Sequence, residues 1–119
     1  NPLQKIVQKA LKKSEYWLVP PQHINYFNFK SLITLLKKRG FEILRKDSTF
    51  PLELFLLMGI DYVANDKVGK KIHQNRINME MNFKKAGNVT LREQIYQKFA
   101  ELEIGRTSII YAKKIKKIK

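Results

Sequence analysis

The chain has 119 residues, of which 44% are hydrophobic, so it is long enough for one globular domain with a modest core and too short for two ordinary ones. It contains no cysteine, which excludes disulfides and thiolate metal sites and is compatible with a reducing cytoplasm. The 24 basic and 10 acidic residues give a net charge of +14, and no apolar run approaches the roughly 20 residues that span a bilayer. The sequence therefore predicts a single basic, cytoplasmic unit without a membrane span.

Helical and strand patterns follow one another in the order α, loop, α, β, α, α, α, β. Most of the predicted helices combine an apolar stripe at helical spacing with a capping residue before it or a glycine after it. The predicted caps are Asn1, Asn28, Asn65 and a capping box that begins at Thr90. Segments rich in β-branched and aromatic residues predict the strands. The predicted elements are a helix over 2–13, an ordered loop to 27, a helix over 28–39, a strand over 41–50, helices over 52–63, 65–86 and 90–104, and a strand over 107–112.

Two strands separated by three helices predict an α+β unit that is mostly helical. We expect residues 41–50 and 107–112 to pair antiparallel, with the intervening helices on one face, because a lone strand leaves both of its edges unpaired. The other face and an outer edge would still require a partner. The densely apolar segment from Leu54 to Met58 is the candidate surface for that partner, and we expect the isolated chain to associate with itself.

The segment between residues 20 and 41 resembles a pattern that follows the fifth strand of class I S-adenosylmethionine-dependent methyltransferases. Its parts are Pro20-Pro21-Gln22-His23-Ile24-Asn25-Tyr26-Phe27, then Ser31-Leu32 and Leu35-Leu36 in a helix, then Gly40-Phe41 at the start of a strand. Further parts of the chain that resemble one branch of this family are Phe50-Pro51-Leu52-Glu53-Leu54-Phe55, Gly59, Arg76 with Glu80, and Gly105-Arg106. The resemblance therefore covers nearly the whole chain.

This resemblance implies that the chain is the C-terminal half of such a methyltransferase, and that its two strands are the last two of a Rossmann-like α/β sheet. The implied organisation is a helix and loop over 1–27, a helix and the sixth strand over 28–50, a helical insertion over 51–105, and the antiparallel seventh strand with a basic tail over 106–119. The complete enzyme would transfer a methyl group from S-adenosylmethionine to a small-molecule or sugar-type acceptor.

The part of the fold that binds the cofactor is not found in this sequence. Cofactor binding in this fold uses a Gly-rich turn after the first strand and an acidic residue at the end of the second. The five glycines of this chain are isolated from one another. We therefore expect the chain alone to bind no cofactor and to be inactive, and we expect its partner to be the N-terminal half of the methyltransferase domain.

The candidate site residues follow from what methyl transfer requires. The enzyme must position the acceptor and, for a hydroxyl or an amine, remove its proton. His23 is the candidate base because a histidine titrates near neutral pH, although it could instead cap a neighbouring backbone group. Asn25 and Tyr26 are candidate acceptor contacts, but Tyr26 could equally staple the start of the following helix. Tyr16 and Trp17 could stack on an acceptor or pack in the core.

Arg76 and Glu80 lie four residues apart on a predicted helix and should form an ion pair. This pair could be exposed to solvent, or it could belong to a half-buried cluster beside His73 that contacts the acceptor. His73 and His23 lack a carboxylate or cysteine at ligand spacing, so the sequence predicts no metal site.

The positive charge supports a different interpretation, a small basic module that binds RNA or DNA. Lysine and arginine gain affinity by releasing counterions from phosphates. The candidate contacts are Lys37-Lys38-Arg39 and the five lysines within residues 113–119. A lysine-rich proteome would produce the same composition, the aromatic residues mainly follow apolar stripes, and no nucleic-acid motif is present. A steep dependence of RNA binding on salt would favour this alternative.

Overall fold

The computed structural model describes residues 1–16 and 27–115. Within them the chain forms an α+β fold with five helices and a two-stranded antiparallel sheet. The elements are α1 (Pro2–Leu11), α2 (Phe29–Lys38), β1 (Phe41–Ser48), α3 (Glu53–Leu57), α4 (Asp66–Lys85), α5 (Val89–Glu101) and β2 (Ser108–Lys114). The predicted order of helices and strands is confirmed, whereas the predicted loop around Pro20-Pro21 lies outside the described residues.

Asparagine side chains begin four of the five helices in the described part of the chain. Each accepts a hydrogen bond from the backbone N–H three residues ahead, which satisfies one of the unpaired donors of the first turn. The caps at Asn1, Asn28 and Asn65 are those that the sequence predicts. The capping box predicted to begin at Thr90 is wrong, because Asn88 caps α5 and the helix begins at Val89.

The helix predicted over 52–63 is much shorter in the structure, where α3 covers only Glu53–Leu57. Gly59 has a φ of +91°, and the N–H groups of Gly59 and Ile60 bond back to the carbonyls of Leu56 and Phe55. This hydrogen-bond pattern closes a helix around a left-handed residue. The apolar density of the segment is therefore not a measure of helix length.

The two strands pair antiparallel, as predicted, from Phe41 opposite Lys114 to Ser48 opposite Ser108. Their bounds differ from the prediction, since β1 ends before residue 50 and β2 continues past residue 112. An irregularity between Ile43 and Arg45 leaves Leu44 outside the register, and its side chain is exposed. The outer edge of β2 pairs with no strand among the described residues.

Helices α2 and α5 both contact β1. The ammonium of Lys46 lies 5.6 Å from the ring centroid of Phe29 in α2. The hydroxyl of Ser48 donates a hydrogen bond to the carbonyl of Tyr96 in α5 at 2.9 Å. The expectation that one face of the strand pair lacks cover stays a prediction.

The hydrophobic core is small, and much apolar surface is left open. Leu52, Phe55 and Ile72 form a buried cluster between α3 and α4. In α2 only Phe29 is buried, although the sequence predicts a continuous apolar stripe along that helix. The prediction that the segment from Leu54 to Met58 is a docking surface is wrong for Phe55 and Leu56, which are buried. Only Leu57 and Met58, at its end, are exposed.

Candidate functional site

A hollow of the described part of the chain, called the larger hollow below, lies where β1 ends and β2 begins. Its volume is about 930 Å³. Ser108, which pairs with the last residue of β1, belongs to its wall. The remaining walls come from the start of α1, the residues just before α2, the start of α3 and the turn before β2. Segments that are distant in the sequence therefore converge at one end of the sheet.

A buried carboxyl group, that of Glu53, lies in this hollow and is only 6% exposed. Burial raises its pKa, an effect opposed by a hydrogen bond to its own backbone and then by the charge of the Asn1 amino group, a hydrogen bond from Tyr16 and the charge of Arg106. Burial also raises the pKa of Tyr62 to about 12, with a further contribution from the Glu53 charge. The pKa of Tyr16 is raised by the same two causes. Two phenols therefore border the carboxyl, which can accept a hydrogen bond or a proton from a ligand.

Glu53 should make the fold less stable as the pH rises. Because its folded-state pKa lies above the ordinary 4.5, the folded chain keeps a proton that the unfolded chain has released in the interval between the two values. The stability that this group contributes is fully present below the unfolded pKa and is lost as the pH rises through the folded pKa. Glu53→Gln cannot ionise and should lack this part of the pH dependence.

The effect is measured by the midpoint of urea unfolding between about pH 4 and about pH 8. The midpoint follows stability as long as the free energy of unfolding falls with urea concentration at the same slope. Glu42→Gln, which changes an exposed strand residue, is the matched control and should follow the wild type. Identical pH profiles for Glu53→Gln and the wild type would contradict the assignment.

Arg106 ties the turn before β2 to α4. Its Nη1 donates a hydrogen bond to Nε2 of His73 at 2.7 Å, since a guanidinium has no acceptor. Partial burial and then the charges of Arg106 and Arg76 lower the pKa of His73. His73 therefore bonds to a residue of the hollow while it also lies within reach of the Arg76 charge, and its contact with an acceptor stays a prediction.

Arg76 and Glu80 form the predicted ion pair, with Nη1 and Oε1 2.9 Å apart and each side chain 25% exposed. The hydroxyl of Tyr96 donates to the same Glu80 oxygen at 2.9 Å, so the cluster links α4 to α5. Glu80 and Tyr96 line the smaller hollow, of about 250 Å³, whereas neither Arg76 nor Glu80 lines the larger one. Their contact with an acceptor stays a prediction.

Four of the predicted site residues, Trp17, His23, Asn25 and Tyr26, lie outside the described residues. Tyr16 and Phe27, which flank that segment in the chain, both line the larger hollow. The residues missed by the sequence analysis as a site are Glu53, Tyr62 and Arg106. The available signal was a single carboxylate, Glu53, within the most apolar stretch of the chain.

Cationic side chains of the sheet lie over two of its aromatic rings. The Arg45 guanidinium lies 4.6 Å from the centroid of Tyr111, and the Lys114 ammonium lies 5.4 Å from that of Phe41. Stacking on nucleic-acid bases requires open rings. Because Tyr111 is 48% exposed, these contacts do not test the nucleic-acid alternative, which stays a prediction.

Within residues 1–16 and 27–115, no three histidine or acidic side chains lie close enough together to hold a metal ion. None of the helices described there is both long and apolar enough to cross a bilayer. Comparison with protein-family models, with curated proteins and with solved structures finds no match for the chain.

Proposed function

We propose that the chain is the acceptor-side, C-terminal portion of a class I S-adenosylmethionine-dependent methyltransferase. The position of the larger hollow carries this proposal. In open α/β sheets, ligands bind in the crevice outside the carboxyl ends of the parallel strands. If β1 is the sixth strand of such a sheet, its carboxyl end is Ser48, and the partner of Ser48 in β2 lines the hollow.

The strand arrangement supports the same proposal. The family to which the sequence is similar places its seventh strand antiparallel between the fifth and sixth strands. β2 has β1 as its antiparallel neighbour on one side and no strand on the other among the described residues. An unpaired edge presents backbone N–H and C=O groups that a further strand would satisfy. Leu35, in the apolar stripe of α2, is 39% exposed and offers further apolar surface to a partner.

The chain would contribute acceptor binding to this reaction. The cofactor, held by the N-terminal half of the domain, would supply the methyl group when bound. Glu53, Tyr16 and Tyr62 supply polar groups within a partly apolar hollow, which is a common composition for a small-molecule site. His23, which follows Tyr16 by seven residues, stays the candidate base for the acceptor proton.

Calorimetric titration with S-adenosylmethionine tests the proposal. We expect no binding by this chain alone, and binding once it is joined to the polypeptide encoded immediately upstream. In the joined protein, His23→Ala should lower turnover by about 10²- to 10⁴-fold, the usual contribution of a general base, with cofactor affinity unchanged. An unchanged turnover would remove His23 from the mechanism.

Two other outcomes would reject the proposal. Tight cofactor binding by this chain alone would mean that the cofactor site is misassigned. If the joined protein also fails to bind the cofactor, the interpretation as a basic nucleic-acid-binding module takes the place of the proposal. That interpretation is tested by measuring RNA affinity between about 50 and 200 mM salt, because a protein that contacts several phosphates loses orders of magnitude in affinity over this range.

A further inference from the structure

We infer that one end of the strand pair is a docking surface for a membrane that carries anionic lipids. This surface, called the basic end below, forms where α2 and β2 both terminate beside the start of β1. Lys114 pairs with Phe41, and the N–H of Ile115 donates a hydrogen bond to the carbonyl of Gly40 at 2.9 Å. Because Gly40 follows closely on the end of α2, two basic runs that are distant in the sequence lie side by side. The members of the basic end are Lys37, Lys38, Arg39, Lys113 and Lys114.

The basic end carries positive charge that the described part of the chain does not neutralise. All five of its cationic residues are exposed, and none of them forms an ion pair with a described residue. The only acidic residue in the sequence of the adjoining segments, 28–46 and 108–119, is Glu42. The negative end of the helix dipole accounts for lysines at the end of α2, but not for those at the end of β2. This excess of charge attracts a polyanion.

The composition of the basic end favours a lipid surface over a nucleic acid. Four of its five cations are lysines, which act on phosphates as point charges, whereas arginine supplies the bidentate geometry that reads bases. The apolar side chain that follows them, Ile115, is aliphatic and 55% exposed. An aliphatic side chain can enter the acyl boundary of a bilayer, but it cannot stack on a base as an aromatic ring does. Clustered lysines at such a boundary bind anionic headgroups.

The basic end and the larger hollow lie at opposite ends of the sheet. β1 starts at Phe41 beside the basic end and finishes at Ser48, whose partner Ser108 lines the hollow. The eight residues of β1 span roughly 24 Å at about 3.4 Å per residue. A chain bound to a membrane through the basic end would therefore leave the hollow accessible. The inference does not depend on the methyltransferase proposal, because vesicle binding is measured with neither cofactor nor acceptor.

Co-sedimentation of the full chain with lipid vesicles tests the surface. The vesicles are phosphatidylcholine with about 30% phosphatidylglycerol, and vesicles of phosphatidylcholine alone are the neutral control. We expect binding to the anionic vesicles at about 100 mM salt and a steep loss of binding at about 500 mM, because salt screens the attraction. We expect no binding to phosphatidylcholine alone.

Variants at exposed positions locate the surface on the chain. Lys113→Gln/Lys114→Gln should lower the partition coefficient by at least about tenfold, since each lysine near an anionic surface contributes a factor of about five. Lys84→Gln/Lys85→Gln is the matched control, because it removes two neighbouring exposed lysines from the end of α4 and changes the net charge equally. This control should change binding by less than about threefold. Ile115→Ser keeps the net charge and should weaken binding by about fivefold through its lost apolar contact.

Equal losses of vesicle binding in the two double variants would overturn the inference, because net charge and not the basic end would then determine binding. Failure of the wild type to bind the anionic vesicles, or equal binding to phosphatidylcholine alone, would also overturn it. RNA is the competing polyanion. Binding of poly(U) without binding of the anionic vesicles, or unchanged vesicle binding in Ile115→Ser together with equal affinity for poly(U), would reject the membrane assignment.

Discussion

Gly105→Ala should lower the free energy of unfolding by about 2 to 5 kcal/mol, through backbone strain and overpacking together. Gly105 has a φ of +122°, a conformation that residues with a Cβ rarely adopt. A Cβ added there would lie 2.6 Å from Cβ of Ser48 and 2.8 Å from the backbone oxygen of Thr49. The turn and the end of β1 would have to separate, which would also widen the proposed ligand hollow.

Gly87→Ala is the matched control for this substitution. Gly87 also has a positive φ, of +70°, but an added Cβ would meet nothing within 4 Å. Gly87→Ala should therefore lower the free energy of unfolding by only about 1 kcal/mol, the cost of holding alanine in the left-handed conformation. Urea unfolding of both variants separates strain from close approach, and an equal loss of stability in the two would show that the contact with Ser48 and Thr49 is unimportant.

Ile72→Ala should destabilise the fold by about 2 to 5 kcal/mol, as expected for truncating a fully buried aliphatic side chain. Ile72 is 1% exposed and packs with Leu52 and Phe55 in the buried cluster. This cluster holds α3 against α4, so the cavity would loosen the segment that carries Glu53. The core is small, and few other contacts can compensate for the loss.

Ile77→Ala, on the same helix, provides the comparison. Ile77 is 41% exposed, so the same substitution should change the free energy of unfolding by less than about 1 kcal/mol. Thermal or urea unfolding of the two variants measures the difference. A large loss in Ile77→Ala would show that this face of α4 is covered in solution, for example by self-association of the chain.

Local features of the fold were predictable because they depend on residues close together in the sequence. The caps at Asn1, Asn28 and Asn65 involve partners three residues away, and the left-handed glycine at residue 40 follows directly from its place after α2. The Arg76–Glu80 pair spans one helical turn. Pairing of the two strands was predictable because a lone strand leaves both of its edges unpaired.

The candidate site was not predictable in the same way, because its groups meet only after the chain has folded. His73 and Arg106 are 33 residues apart, and the Ser48 hydroxyl bonds to the Tyr96 carbonyl over 48 residues. Whether Glu53 is buried depends on how α3 packs against other elements, and no local pattern encodes that. The predicted roles of Trp17, His23, Asn25 and Tyr26 stay predictions, since these residues lie outside the described part of the chain.

The sequence by itself determined the caps at which three of the helices begin, the order of helices and strands, the excess of positive charge and the absence of thiol chemistry. These properties follow from composition and from interactions within about one helical turn. The tertiary structure alone decided that a carboxyl group is buried beside two phenols, that α3 is short, and that the ends of β1 and β2 enclose a hollow. Those features depend on packing between distant segments, where burial changes the pKa of a group and the partners available to it.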